Sequence, residues 1–234
     1  MTSAETPKGG PRPEKRRKLV LYGMGDFAEL VCWHFDHDSD YEVVAFTVDR
    51  TYLDRDTFCG RPVVAFDEIT SACPPEGHDV FVCIGYSGLN AGRVKGCASA
   101  KQAGYTLASF VSSAAIVMTD QPLGENVYIE DHVTIQPGVH IGDGVIIMSQ
   151  SVVAHHARLD DFVFISIGTT IAGSTRIGRQ CFIGAGAMIR DHIEVGGRCI
   201  VGGGAIVLES TKPLGVYRAP AATRLKRSAL DQKI

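Results

Sequence analysis

The sequence contains no run of roughly 18 apolar residues, the length a membrane-spanning helix needs, so no membrane insertion is expected. It contains no Cys-x-x-Cys pair. Its seven cysteines, Cys32, Cys59, Cys73, Cys83, Cys97, Cys181 and Cys199, are odd in number and scattered. That spacing argues against a disulfide framework and points to a reducing cytoplasm. Neither sign of charge is in excess. Lys and Arg total 23 against 26 for Asp and Glu, a formal net charge of −3, which gives no electrostatic reason to expect nucleic acid as a partner. Met1 to Lys18 lacks the apolar centre of a signal peptide. It is polar, rich in Pro and Gly, and ends Glu-Lys-Arg-Arg-Lys, so residues 1–17 are read as a disordered tail.

What is present is a chain of 234 residues, 45% hydrophobic, long enough for one or two domains with cores of their own. From Leu123 to Lys212 it runs in fifteen six-residue blocks without a slip. Every block opens on an aliphatic residue, as at Ile129, Ile135, Ile141, Ile147, Val153, Leu159 and Ile165. Four residues after each opener comes a small or β-branched one, as at Val127, Val133, Ser151, Ala157, Thr169 and Cys181. Glycine often follows the opener directly, as at Gly124, Gly142, Gly178 and Gly184. A helix repeats every 3.6 residues and a half-buried strand every two. A period of six fits a parallel β-helix whose coil is three short strands and three turns. Residues 111–212 are assigned to it, and 213–234 to a C-terminal cap and tail.

Residues 18–110 follow a different grammar. Lys18 to Tyr22 reads as a buried strand, and Gly23-Met24-Gly25-Asp26-Phe27-Ala28 follows as G-x-G-x-x-A. Asp26 and Glu29 suggest a capping box for a helix from about Phe27 to Phe35. Further strands are expected at Glu42 to Val48, around Val63-Val64, at Asp79 to Ile84 and at Thr106 to Val111, with a helix at Val94 to Ala103. This alternation predicts a small parallel α/β unit, Rossmann-like. Glycines after a strand, with Asp49 closing the next strand, form a nucleotide fingerprint: open backbone meets phosphate and the acid meets ribose. About 90 residues make one mononucleotide half, which favours a single nucleotide over NAD.

Block arithmetic also places candidate chemistry. His155 and His156 are the third and fourth residues of their block, so both belong at an outward corner. Eighteen residues make one coil. The stacked neighbours of His155 are then Pro137 and Gly173, and those of His156 are Gly138 and Ser174. A neutral imidazole there can take a proton from an attacking amine or hydroxyl, and turn N–H groups can meet an oxyanion. Zinc is not expected. His156 and His192 share a column but lie two coils apart, roughly 10 Å at about 4.8 Å per coil, too far for one ion.

On these residues the chain resembles the left-handed β-helix acyltransferases of bacterial sugar-nucleotide pathways. The subgroup it is most similar to joins a small Rossmann-like domain to the repeats, as in the bacillosamine-pathway acetyltransferase and the sialic-acid-type O-acetyltransferases. The resemblance implies left-handed coils, a homotrimer, and acetyl-CoA as co-substrate in the groove between adjacent helices, with no metal. Val153-Ala154-His155-His156 matches the family's V-x-H-[ED] segment, which makes His155 the general base. His156 stands where the family has an acid, and the two are taken together as the catalytic pair. Ala172-Gly173 matches the stretch whose glycine N–H contacts the thioester carbonyl. Ala185 and Gly203 fall on pantetheine-lining positions, and Arg218 in the cap is grouped with them as acyl-CoA-binding. Gly23, Gly25, Asp49, Gly85 and Arg93 are the nucleotide-sugar candidates. Phe27, Met148 and Phe164 replace polar family positions, which implies a more apolar sugar pocket and a deoxy sugar as one candidate acceptor.

The leading expectation is therefore a CoA-dependent transfer of an acetyl group to an amino group of a nucleotide-linked amino sugar. A sugar O-acetyltransferase and a non-catalytic nucleotide-sensing trimer remain the alternatives. The basic end, Arg224, Lys226 and Arg227, is either a solvated tail or a phosphate contact.

Overall fold

The computed structural model describes residues 17–224. The expected tail, save Arg17, and the basic positions Lys226 and Arg227 lie outside the described residues. Arg17 does not belong to the tail: it opens the first strand and donates to Asp79 at 2.9 Å.

The amino-terminal unit runs β1 (Arg17–Tyr22), α1 (Asp26–His37), β2 (Tyr41–Val48), β3 (Thr57–Phe58), β4 (Arg61–Ala65), α2 (Ile69–Ala72), β5 (His78–Val82) and α3 (Ala91–Gln102). Its sheet has the order β3-β4-β2-β1-β5. β4, β2, β1 and β5 pair in parallel, and β3 pairs antiparallel to β4 at one edge. The central strands are continuous apolar runs because both faces are covered. α1 buries Ala28, Val31, Cys32 and Phe35 at helical spacing against that sheet.

Two expectations are corrected here. Asp26 and Glu29 form no capping box: α1 begins at Asp26 with Gly25 as its N-cap, and no side chain caps it. The helix starts one residue earlier than expected, so Asp26 already sits inside the first turn. The expected strand Thr106 to Val111 is divided. Leu107 makes one bridge to Val80, whereas Phe110–Val111 pairs with Tyr128–Ile129 as the first rung of the coil.

That coil runs from Phe110–Val111 to Val216–Tyr217 in two-residue strands, which stack into parallel sheets of seven, six and four strands. Partners lie 18 residues apart, as in Ile146 with Phe164, Val152 with Thr170 and His140 with Arg158. The last rung departs from this. Val216 pairs with Ile200, 16 residues back, so the coil continues past Lys212-Pro213 instead of ending there. Inside, openers such as Ile135, Val153 and Ile165, and small residues such as Val139, Ala157 and Cys181, form one core at 0% exposure. Buried Ser151, Thr169 and Thr175 hydroxyls donate to turn carbonyls, which removes the cost of burying them.

The turns repeat a left-handed conformation at every sixth residue. Asn126, His132, Gly138, Gly144, Gln150, His156, Phe162, Gly168, Ser174, Gln180, Gly186, His192, Arg198 and Gly204 all have φ between 54° and 71°. A non-glycine residue there costs about 1–2 kcal/mol, which the surrounding ladder overrides. The glycines that follow the openers have another cause. A Cβ on Gly184 would lie 2.5 Å from the backbone N of Gly203, so the next coil leaves no room for a side chain.

The α/β unit sits on the outer face of the seven-stranded sheet. Phe110, Tyr128, Ile146 and Phe164 share one buried cluster with Leu19, Leu21, Val31 and Phe35. Polar ties close the junction: Asn126 bonds both the N–H (2.7 Å) and the carbonyl (3.2 Å) of Val82, and the Tyr128 hydroxyl meets His34 Nδ1 at 2.6 Å.

Candidate active site

His155 and His156 occupy the corner between the six- and four-stranded sheets, and both are exposed. Neighbouring coils hold them through glycine. A Cβ on Gly173 would stand 2.6 Å from Cε1 and 2.8 Å from Nε2 of His155. One on Gly138 would stand 2.9 Å from Cδ2 of His156. Each ring therefore fills the space a side chain would take. The two Nδ1 atoms lie 3.1 Å apart, with ring planes at 77°. The His155 N–H donates to Gln136 Oε1 at 2.9 Å, and the Ser174 N–H donates to the His155 carbonyl at 2.9 Å. Gln136 escaped the sequence reading, although coil arithmetic places it directly below Ala154. The Gly173 N–H makes no hydrogen bond among the described residues and stays available to an incoming carbonyl oxygen.

The other acyl-CoA candidates form a second column. Ala185 and Gly203 stack at the corner between the seven- and six-stranded sheets, where a Cβ on Gly203 would meet the Ala185 carbonyl oxygen at 3.2 Å. Arg218 follows the last rung at the same corner, its Cα 3.5 Å from a Cβ built on Gly202. Gly173 belongs with His155, while Ala185, Gly203 and Arg218 belong together one corner away.

The nucleotide candidates converge at the carboxyl ends of β1, β2 and β5. Gly23, Gly25, Asp49 and Gly85 line a cavity of about 860 Å³ there, with Met24, Phe27, Tyr52 and Lys95. Gly23, at φ 138°, lies so near β5 that a Cβ would stand 3.0 Å from the Cys83 carbonyl oxygen. Gly25, at φ 117°, faces open space, and the uncapped first turn of α1 points its N–H groups out beside it. Asp49 does not stand alone. Lys95 Nζ bonds its Oδ2 at 2.6 Å, and the Tyr22 hydroxyl bonds its Oδ1. The Lys95 bond, then the Tyr22 bond, holds the Asp49 carboxyl below the ordinary carboxylate range. Burial, then Asp49, pushes the Tyr22 phenol up. Tyr22 and Lys95 were not singled out from sequence, because nothing local marks either as a partner of Asp49.

Arg93 is a correction. It is 0% exposed and turned away from the cavity. Its guanidinium donates to the carbonyls of Gly144 (2.9 Å), Ile84 (3.0 Å), Gly85 (3.0 Å) and Phe162 (3.3 Å). Burial lowers its pKa to about 10, which leaves it charged at neutral pH. It bolts the α/β unit to the coil. The sequence carried that signal: Arg93, Gly96, Cys97 and Ala100 share the buried stripe of α3.

The three apolar departures also meet. Phe27 lies 5.6 Å from Tyr128 and 6.4 Å from Phe164, ring centre to ring centre, and Met148 packs against the same cluster. They form part of the domain junction at the cavity's edge. Among the described residues no group of three or more His, Cys, Asp or Glu is placed to hold a metal ion, and no helix is long and apolar enough to cross a membrane.

Comparison with known proteins bears on this arrangement. The family described as bacterial transferase hexapeptide (six repeats) matches residues 123–155 and 174–209. Those repeats and the parallel sheets fit a left-handed β-helix. The acetyltransferase domain of PglB from Neisseria gonorrhoeae, solved also with acetyl coenzyme A, is 27% identical with a TM-score of 0.79, covering 90% of this chain and 100% of that one. PerB from Caulobacter crescentus, solved with CoA and GDP-perosamine, is 26% identical with a TM-score of 0.75, covering 86% of this chain and 93% of that one. WeeI from Acinetobacter baumannii, 23% identical with a TM-score of 0.72 and covering 85% and 94%, shares the fold. No curated protein matches the chain.

Proposed function

We infer that this chain, a hexapeptide-repeat sugar acyltransferase, moves an acetyl group from acetyl-CoA to the amino group of a nucleotide-linked amino sugar. The observation that carries the site assignment is the His155 ring lying against Gly173, whose N–H is free. His155 Nε2 takes a proton from the acceptor amine as the amine nitrogen adds to the thioester carbonyl carbon. The carbonyl electron pair moves onto oxygen, where the Gly173 N–H receives it. Collapse of the intermediate re-forms the carbonyl and breaks the C–S bond, and the proton on Nε2 returns to the leaving thiolate.

The amino-terminal unit is the Rossmann-like nucleotide anchor. The cavity at Gly23 and Gly25 takes the phosphates, and Asp49 takes the ribose. Phe27, backed by Phe164, gives that cavity an apolar wall suited to a deoxy sugar.

The working assembly is a homotrimer. In one coil the His155 corner lies opposite the sheet that carries the α/β unit, and Ala185, Gly203 and Arg218 line a different corner. A neighbouring copy is needed to bring base, pantetheine track and acceptor together. The outward residues of the six-stranded sheet support such burial: Ile116, Met188 and Ile206 are 57%, 41% and 63% exposed. A reducing cytoplasm suits the seven free thiols.

Thiol release from acetyl-CoA against a panel of UDP-, dTDP- and GDP-linked amino-deoxy sugars tests the reading. One acceptor should be turned over, and His155→Ala should lose roughly 10²–10⁴ in kcat with Tm unchanged. Full activity of His155→Ala would remove it as the base.

A further inference from the structure

His155 and His156 meet through the same ring atom, Nδ1 to Nδ1 at 3.1 Å. A hydrogen bond at that distance requires one of the two nitrogens to carry a proton and the other to be bare. The choice is not free if His155 is a base. To accept a proton at Nε2, its own proton must reside on Nδ1, and that N–H must then donate to a bare His156 Nδ1. The second proton of His156 is thereby placed on its Nε2.

No other ionisable side chain competes for this contact. The turn below offers Gln136, Pro137 and Gly138, and Gln136 Oε1 is occupied by the His155 N–H. The turn above offers Ala172, Gly173 and Ser174. One coil further on, Asp191 faces Arg190 and His192, and beside the corner Asp160 is engaged by Arg158 and Arg176. The backbone also holds His156 in place, with its N–H donating to the Pro137 carbonyl at 3.1 Å.

We propose that His156 is a positioning residue. It accepts the Nδ1–H of His155 on its own Nδ1 and so holds His155 in the tautomer whose Nε2 is free to receive the acceptor's proton. This rests on the acyltransferase reading above and assigns the orienting task, which a carboxylate performs in other base–orienter pairs, to a neutral imidazole. When Nε2 is protonated, the imidazolium keeps the same bond and gains a hydrogen-bond acceptor without a countercharge.

The backbone at position 156 makes the test clean. Its φ of 57° is left-handed, which glycine and asparagine adopt readily. His156→Gly deletes the ring without straining the turn. His156→Asn and His156→Asp each place an oxygen one bond beyond Cγ, where Nδ1 stood. His156→Gly should lower kcat about 10- to 100-fold with the KM for acetyl-CoA within about twofold of wild type. His156→Asn should restore kcat to within about threefold of wild type. His156→Asp should move the acid limb of the kcat/KM profile to higher pH, because a carboxylate stabilises the protonated base.

A readout independent of turnover is the tautomer itself, read from ring nitrogen shifts of the full chain labelled with 15N-histidine. His155 should show a protonated Nδ1 and a bare Nε2 in the wild type and lose that preference in His156→Gly. Wild-type kcat and pH profile in His156→Gly, no rescue by His156→Asn, or a bare Nδ1 on His155 would each overturn the proposal. If no acceptor is turned over by the wild type, the acyltransferase reading fails, and the nitrogen shifts still decide the pairing.

Discussion

The coil and the α/β unit build their sites by opposite routes. In the coil, position along the chain is position in space. A residue's place in its block sets inside or outside, and 18 residues set its neighbour, so His155, Gly173 and Gly138 come together by arithmetic alone. In the α/β unit, the groups around the cavity come from the ends of β1 and β2, the loop after β5, and α3, elements joined by no period. Tyr22, Asp49 and Lys95 are 27 and 46 residues apart in their two hydrogen bonds. A repeat makes a site legible because one local rule is applied many times. A folded α/β unit makes a site from contacts that no local rule anticipates.

The junction between the regions offers the largest test. Arg93→Ala removes a buried cation and leaves four carbonyls without their donor, at a cost of about 3–5 kcal/mol. Calorimetry should then show the α/β unit melting apart from the coil. One cooperative transition at the wild-type Tm would mean that the apolar cluster alone holds the junction. Next comes the coil's own site. Gly173→Ala sets a methyl 2.6 Å from His155 and should displace the ring, costing roughly 10²-fold in kcat with little change in Tm. Unchanged kcat would show that the ring has another productive position. The smallest effect belongs to the α/β cavity. Asp49→Asn frees Lys95 and weakens the ribose acceptor, so nucleotide affinity measured by calorimetry should fall about tenfold, near the 1.4 kcal/mol of one lost charged hydrogen bond. Equal affinity would place the ribose elsewhere in the cavity.

The same contrast explains which expectations survived. The period of six placed the openers inside, put both histidines at a corner and seated the rings on glycines. It did not reveal that the final rung is short, because Pro213 breaks the pattern where Val216 still pairs. In the amino-terminal unit the strand order and the cavity glycines followed from alternation and from G-x-G-x-x-A. The capping box did not form, since helix entry is set by the turn at Gly23 to Gly25 as well as by cap chemistry. Arg93 looked like a ligand contact because a cation near a glycine loop suggests phosphate. Its burial depends on which face of α3 meets the coil. Phe27, Met148 and Phe164 looked like lost chemistry and proved to be packing, three residues from distant segments filling one junction.

By itself the sequence determined the coil, its inward and outward positions and the corner where the base stands. Those depend only on short-range geometry repeated at a fixed interval. The tertiary structure decided everything that depends on two unlike surfaces meeting. It gave Asp49 its partners, took Arg93 out of the cavity and set the α/β unit on the face opposite His155. Such choices are made by burial and hydrogen bonding between segments far apart in the chain, where no period connects one residue to the next.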